Sequence, residues 1–199
     1  MNNPAVTDLL TAQRLTVRAT TEPSSRTGGR EYALLDGEGH RVGEVRSRDG
    51  SPMQIVHRLL EGTRASRRGA FDVRDASGAL VFQVAHRRHG LLGGVRGEVA
   101  LADDRVVVVV TTRAQGFSLA GPDGVPLATG DRAGRLWLRV TGPDGPYAEV
   151  DREADTLSAK RAGAAHAHSQ VIRFDDAVPL VVRLGTLAAL VMRENRLAV

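Results

Sequence analysis

Hydrophobic and polar residues alternate along most of the middle of the chain, in short runs separated by turns rich in Asp and Gly. Alternation is typical of a strand with one buried face, and Asp and Gly tolerate the positive φ that tight hairpin turns require. The pattern therefore predicts four β-hairpins, which are Tyr32–Val45, Phe71–Val84, Phe117–Gly130 and Leu138–Val150.

Further alternating or β-branched runs lie between and around these hairpins, at Leu15–Thr20, Gly94–Leu101, Arg105–Thr112 and Ala165–Phe174. The third run is so rich in valine that it predicts a strand buried on both faces. Together the segments predict about ten to twelve strands, and their hairpin connections indicate antiparallel pairing. Two segments, Pro52–Gly62 and Asp151–Ala162, fit either a helical turn or a loop.

The segment Val178–Met192 has the length of a helix and is apolar on nearly every side. A helix without a polar face must be enclosed by protein or lipid. With Asp175 and Asp176 as N-capping residues and Pro179 in the first turn, the predicted helix spans about residues 177–195.

The apolar run is 15 residues long and contains Arg183. A bilayer requires roughly 20 apolar residues, and arginine is costly at its centre. A membrane span is therefore the alternative, and the favoured prediction is a helix inside a closed antiparallel β-barrel. Arg183 would reach a barrel mouth or pair with a carboxylate.

This arrangement resembles the tubby C-terminal-like superfamily, and within it the phospholipid scramblase and LURP-one-related branch. The likeness rests on Tyr32–Val45, Phe71–Val84 and Val171–Val191. It implies one scramblase-like barrel domain over residues 12–199 after an N-terminal tail of residues 1–11. It also implies a non-enzymatic binding module for anionic phospholipid head groups, because tubby domains bind phosphoinositides. A structural or regulatory protein-interaction domain and a membrane-associated phospholipid scramblase are the alternatives.

Scramblases carry an acidic calcium segment before the last helix, and the matching stretch here is His166–Phe174. His166 and His168 stand at its acidic positions, and imidazole is a poor calcium ligand, so calcium binding is not expected. The two histidines share a strand face and are candidate transition-metal ligands. Zinc needs three or four ligands and no third is visible, so no metal or other cofactor is predicted.

Composition excludes several classes of protein. There is no cysteine, which excludes disulfides, thiolate metal sites and cysteine catalysis. The first residues lack the pattern of a signal peptide, so a cytoplasmic protein, with contact at the membrane surface as an option, is expected. Of the 27 basic residues only Lys160 is lysine, which is typical of a GC-rich bacterial genome. Aromatic residues make up 4%, too few for a base-stacking platform, so nucleic acid is not an expected partner.

Candidate anion-binding residues are the arginines of two clusters, and they are Arg64, Arg67, Arg68, Arg87 and Arg88. Arginine grips phosphate through paired hydrogen bonds, so these residues are predicted to bind anionic lipid or a membrane surface. The opposing interpretation of each cluster is a solvated loop, and the partner would then be another protein. No assignable catalytic arrangement of side chains is present, so no enzyme is predicted.

Acidic residues alternate along one segment as Glu149, Asp151, Glu153 and Asp155. One interpretation is a cation-binding face. The favoured prediction is the solvent side of an edge strand, where charges discourage aggregation.

Overall fold

Twelve antiparallel strands close into a β-barrel in the described part of the chain. The computed structural model describes residues 4–20, 31–48, 68–88, 94–134, 136–154 and 168–197. Each strand pairs with its neighbours in sequence, and the first strand closes the barrel by pairing with the last, with Leu15 opposite Ile172. The fold class predicted from the alternating pattern, a closed antiparallel barrel with a C-terminal helix, is confirmed.

The elements have the following bounds. The helices are α1 (Pro4–Thr11) and α2 (Leu180–Leu197), and the strands are β1 (Arg14–Ala19), β2 (Tyr32–Leu35), β3 (Arg41–Ser47), β4 (Arg68–Asp75), β5 (Leu80–Arg88), β6 (Val95–Leu101), β7 (Val106–Thr112), β8 (Gly116–Ala120), β9 (Pro126–Ala133), β10 (Leu136–Gly142), β11 (Gly145–Ala154) and β12 (His168–Phe174).

Four hairpin turns share one hydrogen-bond scheme, and they span residues 36–40, 75–79, 101–105 and 121–125. In the first, the N–H of Asp36 donates to the carbonyl of His40 at 2.9 Å, and Gly39 donates back to the carbonyl of Asp36 at 3.2 Å. The fourth residue of each turn has positive φ and is Gly in all but Asp104, whose φ is 62°. This is the geometry of a type I turn followed by a one-residue bulge.

Helix α2 fills the barrel interior and lies nearest β7. Its residues from Leu184 to Met192 are buried. A Cβ at Gly185 would lie 2.9 Å from Cδ1 of Leu119 and 3.0 Å from Cγ1 of Val108, so the absence of a side chain lets the helix approach the wall. The prediction that the barrel wall encloses this segment is confirmed. Among the described residues, no helix combines the length and hydropathy needed to cross a membrane.

An arginine near each end of α2 donates to backbone carbonyls. At the start, Arg183 donates to the carbonyls of Ala12 at 2.9 Å and Asp175 at 3.2 Å, with its guanidinium 4.8 Å from the Phe174 ring. Burial lowers the pKa of Arg183, and nearby Asp176 partly offsets this. Arg183 therefore lies at a barrel mouth, as expected, and its hydrogen bonds to described residues go to carbonyls rather than to a carboxylate.

Two element boundaries differ from those predicted from the sequence. Helix α2 spans Leu180–Leu197, where the prediction was about residues 177–195. The carboxylate of Asp175 accepts the N–H of Ala177 in the preceding turn, so it does not cap the helix. Residues 4–11 form α1 rather than a tail, because Leu9 packs into the core.

Two strand predictions also need correction. Residues 151–154 continue β11 instead of starting a helical turn or loop. In β7 only one face is fully buried, with Val108 and Val110 inside and Val107 and Val109 partly exposed outside, because a single-layered barrel has one dry face. Pro52–Gly62 and the remainder of Asp151–Ala162 lie outside the described residues.

Candidate anion-binding surface

The two ends of the barrel are built differently. We call "turn end" the end that holds the turns at residues 36–40, 75–79, 101–105, 121–125 and 142–145, together with the start of α2. The "loop end" is opposite, and it holds residues 113–115 and the C-terminal part of α2. Of the predicted basic residues, Arg68, Arg87 and Arg88 belong to strand ends near the loop end.

Three arginines occupy neighbouring register positions near the loop end. Arg68 of β4 lies opposite Arg87 of β5, and Arg87 lies opposite Arg96 of β6. We call these residues the arginine row. Arg87 and Arg96 are exposed, and for Arg68 only the backbone position is described. Directly opposite residues on one face have Cβ atoms about 5 Å apart, and like charges at that distance destabilise a sheet.

Within the described residues, neither Arg87 nor Arg96 makes an ion pair or a side-chain hydrogen bond. Glu98 follows Arg96 on the same face and is exposed, but the two do not pair there. Other arginines of the outer surface are paired, for example Arg139 with Glu149 at 3.2 Å and Arg173 with Asp151 at 2.6 Å. Arg87 and Arg96 thus concentrate positive charge on this face without an ion-pair partner among the described residues.

The structure brings together only some of the arginines that were predicted from the sequence. Arg64 and Arg67 lie outside the described residues, and Arg88 ends β5 with its side chain outside the description. Arg68 and Arg87 are brought together by register. Arg96 was missed. Alternation in its segment signals that it faces outward, but one sequence carries no signal for which strand lies beside it.

A second group of side chains, the inner cluster, lies at the loop end where α2 meets the wall and consists of Trp137, Arg152, Gln170, Arg193 and Glu194. Arg152 and Gln170 are register partners on β11 and β12. Both donate to Oε1 of Glu194, at 2.5 Å and 2.6 Å. The guanidinium of Arg152 lies 4.4 Å from the Trp137 ring centroid, and that of Arg193 lies 5.2 Å away.

The inner cluster attaches the end of α2 to the wall. Arg193 is buried and donates to the carbonyls of Arg113 at 3.0 Å and Gly116 at 2.9 Å, with Ala114 at 3.4 Å. Hydrogen bonds from a charged donor are stronger than neutral ones. Helical periodicity places Arg193 and Glu194 only on one narrow polar stripe of the helix, so their partners on three strands were not predicted.

The histidines do not converge in the described part of the chain. His86 is partly buried beside Phe71, with ring centroids 6.2 Å apart. His166 lies outside the described residues, and His168 begins β12 with its side chain outside the description. Among the described residues, no group of three or more metal-ligating side chains is present. The absence of a metal site stays a prediction.

The alternating acidic residues face solvent on β11, and each described one pairs with an arginine. Glu149 pairs with Arg139, Asp151 with Arg173, and Glu153 with Arg14 at 3.6 Å. The prediction of an edge strand is wrong, because β11 pairs with β10 on one side and β12 on the other. The hydrogen bond from Arg173 to Asp151 raises the pKa of that arginine. Asp155 lies outside the described residues.

The carboxylates of the turn end mostly bind neutral donors. Oδ1 of Asp36 accepts the N–H groups of Glu38 and His40, each at 2.9 Å. Oδ1 of Asp75 accepts the N–H groups of Ser77 and Ala79 and the Ser77 hydroxyl. Burial opposes ionisation of both carboxyls, but these hydrogen bonds, together with the His40 side chain in the case of Asp36, outweigh it and lower the pKa of each. The bonds satisfy the carboxylates without neutralising them.

Comparison with known proteins supports the fold alone. No family model matches the chain, and no curated protein matches it. Among solved structures, a protein from Arabidopsis thaliana with a LURP-one/tubby-like fold superposes with a TM-score of 0.51. The alignment covers 94% of this chain and 95% of that chain at 12% sequence identity. The similarity agrees with the tubby-like barrel that the sequence resemblance implied.

Proposed function

We propose that this protein is a non-enzymatic module that binds anionic phospholipid head groups at a membrane surface. The observation that supports the proposal is the arginine row, where Arg87 and Arg96 stand side by side and exposed without a partner among the described residues. An anionic ligand would relieve the repulsion between them. A guanidinium can also give a phosphate two parallel hydrogen bonds.

The charge distribution along the barrel supports a preferred orientation. The arginine row lies near the loop end, whereas the turn end carries Asp75, Asp123 and Asp144 bound to uncharged donors. An anionic surface attracts basic residues, each contributing about 1 kcal/mol close to the membrane, and repels carboxylates. The protein would therefore approach the membrane with the loop end leading and the turn end pointing away.

Vesicle flotation tests the proposal. Vesicles of phosphatidylcholine with phosphatidylglycerol should carry the protein at low salt, and vesicles of phosphatidylcholine alone should not. The double variant Arg87→Ser, Arg96→Ser should bind about 30-fold more weakly, which corresponds to two surface contacts of about 1 kcal/mol each. Added salt should release the wild type, because exposed charges are screened.

The matched control is Arg139→Ser, Arg173→Ser, which removes the same charge from exposed arginines that already have carboxylate partners. It should bind vesicles nearly as the wild type does. Equal losses in the two double variants would show that net charge alone drives binding and would contradict a site at the arginine row. Absence of binding to any anionic vesicle would remove the lipid proposal and favour the protein-interaction alternative.

A further inference from the structure

On the outer surface, the series of directly opposite residues continues from Arg96 to the strands beyond it. Arg96 lies opposite Thr111 of β7, Thr111 opposite Ser118 of β8, and Ser118 opposite Thr129 of β9. Thr129 lies in turn opposite Thr141 of β10. We call these four residues the hydroxyl row. Their neighbours along the strands, such as Val110 and Leu119, face the core, so the hydroxyl row shares the outer surface with Arg87 and Arg96.

The hydroxyl groups of this row are not hydrogen-bonded through their side chains to other described residues. Thr111 and Ser118 are partly exposed, and Thr129 and Thr141 are exposed. Neighbouring strands lie about 4.8 Å apart, so a hydroxyl stands one strand beyond Arg96 and another stands two strands beyond. The neighbouring guanidinium groups of Arg87 and Arg96 are thus followed, on the next strands, by hydroxyl groups that are neutral donors and acceptors.

We infer that this surface selects an anionic phospholipid whose head group carries free hydroxyls beside the phosphate, as phosphatidylglycerol does. The inference rests on the proposed function and specifies its ligand. Arg87 and Arg96 hold the phosphodiester, and Thr111 and Ser118 exchange hydrogen bonds with the glycerol hydroxyls. A threonine or serine hydroxyl both donates and accepts, so it complements a glycerol better than it complements an alkyl group or a second charge.

The experiment compares two lipids of equal charge. Phosphatidylglycerol and phosphatidylethanol each carry one negative charge at the phosphodiester, and only the former has head-group hydroxyls. At equal mole fraction in phosphatidylcholine vesicles, the wild type should bind phosphatidylglycerol at least about threefold more tightly, the size expected for one or two net hydrogen bonds. The double variant Thr111→Val, Ser118→Ala should lose this preference and keep its binding to phosphatidylethanol.

The matched control is Thr129→Val, Thr141→Val, which removes hydroxyls two or more strands beyond Thr111 and out of reach of one glycerol. It should retain the preference. If Thr111→Val disturbs the fold, seen as an altered circular dichroism spectrum, Ser118→Ala alone should still reduce the preference.

The outcomes separate the two proposals. Equal binding of both lipids by the wild type would overturn the hydroxyl selection and leave the arginine row as a general anion site. Failure to bind either lipid would overturn the proposed function itself. Loss of the preference in both double variants would contradict a role specific to Thr111 and Ser118. Tight binding of soluble glycerophosphoglycerol without vesicles would contradict a membrane lipid as the ligand.

Discussion

The turn end and the loop end of this barrel solve the same problem in different ways. Both must cover the open rim of a closed sheet and hold one end of a buried helix. The turn end covers its rim with short turns of one repeated hydrogen-bond scheme and holds the helix through the more exposed Arg183. The loop end instead relies on side chains that cross from the helix to the wall, as Arg193 and Glu194 do.

This difference separates structural from candidate functional chemistry. Polar groups at the turn end are occupied by their own backbone, as with Asp36 and Asp75. Near the loop end, Arg87 and Arg96 have no partner among the described residues. Short turns leave little freedom to vary, whereas surface charges that no internal contact uses are available to a ligand.

The largest expected effect on stability comes from disrupting α2, the helix that both ends of the barrel hold. Leu187, in the middle of α2, is 4% exposed. Leu187→Asp should unfold the protein or cost more than about 4 kcal/mol, because it buries a carboxylate without a partner. The control is Leu180→Asp, since Leu180 is 47% exposed at the start of the helix. That change should stay within about 0.5 kcal/mol in urea unfolding, and similar losses for both would contradict a buried helix.

An intermediate effect should distinguish the two helix anchors. Arg193→Met removes a buried guanidinium that donates to three carbonyls and should cost about 3 kcal/mol. Arg183→Met removes two bonds at a more exposed position and should cost about half as much. Urea unfolding midpoints measure both changes. A larger loss for Arg183→Met would mean that the turn end, not the loop end, depends on its helix anchor.

The smallest expected effect concerns acid stability at the turn end. The pKa values of Asp36 and Asp75 lie below their ordinary value of 3.8. Such groups stabilise the folded state above that pH, and the contribution is lost as the pH falls through the lowered pKa. The variant Asp36→Asn, Asp75→Asn should therefore lose less stability than the wild type between pH 5 and about pH 2. Parallel decline of the two urea midpoints would contradict this account.

Sequence pattern was sufficient where structure is local. The hairpins around Asp36, Asp75 and Gly121 were predicted because turn and flanking strands lie within a few residues of one another. The enclosure of α2 was predicted because its length and Arg183 argued against lipid. The exact start of α2 was not predicted, because the side chain of Asp175 accepts the N–H of Ala177 in the turn before the helix.

Pattern was not sufficient where structure depends on distant neighbours. Arg68 and Arg87 were both chosen as candidates, but their pairing, and that of Arg87 with Arg96, follows from strand register. The inner cluster joins Arg152 to Glu194 across 42 residues. The periodicity of a single segment does not predict which distant residues become neighbours, so only part of the candidate surface could be predicted from the sequence.

The seam between β1 and β12 has a consequence for how the polypeptide matures during synthesis. The sheet can close only when Ile172 has been synthesised and can pair opposite Leu15, and α2 leaves the ribosome later still. Until then, β1 lacks one of its two partners, and the valine and phenylalanine side chains of the inner face lack the helix that covers them. Chains synthesised from the N-terminus can form their local hairpins early. Closure of the barrel is therefore postponed until β12 and α2 have been made, and a product truncated before them would carry an uncovered apolar surface that chaperones and proteases recognise.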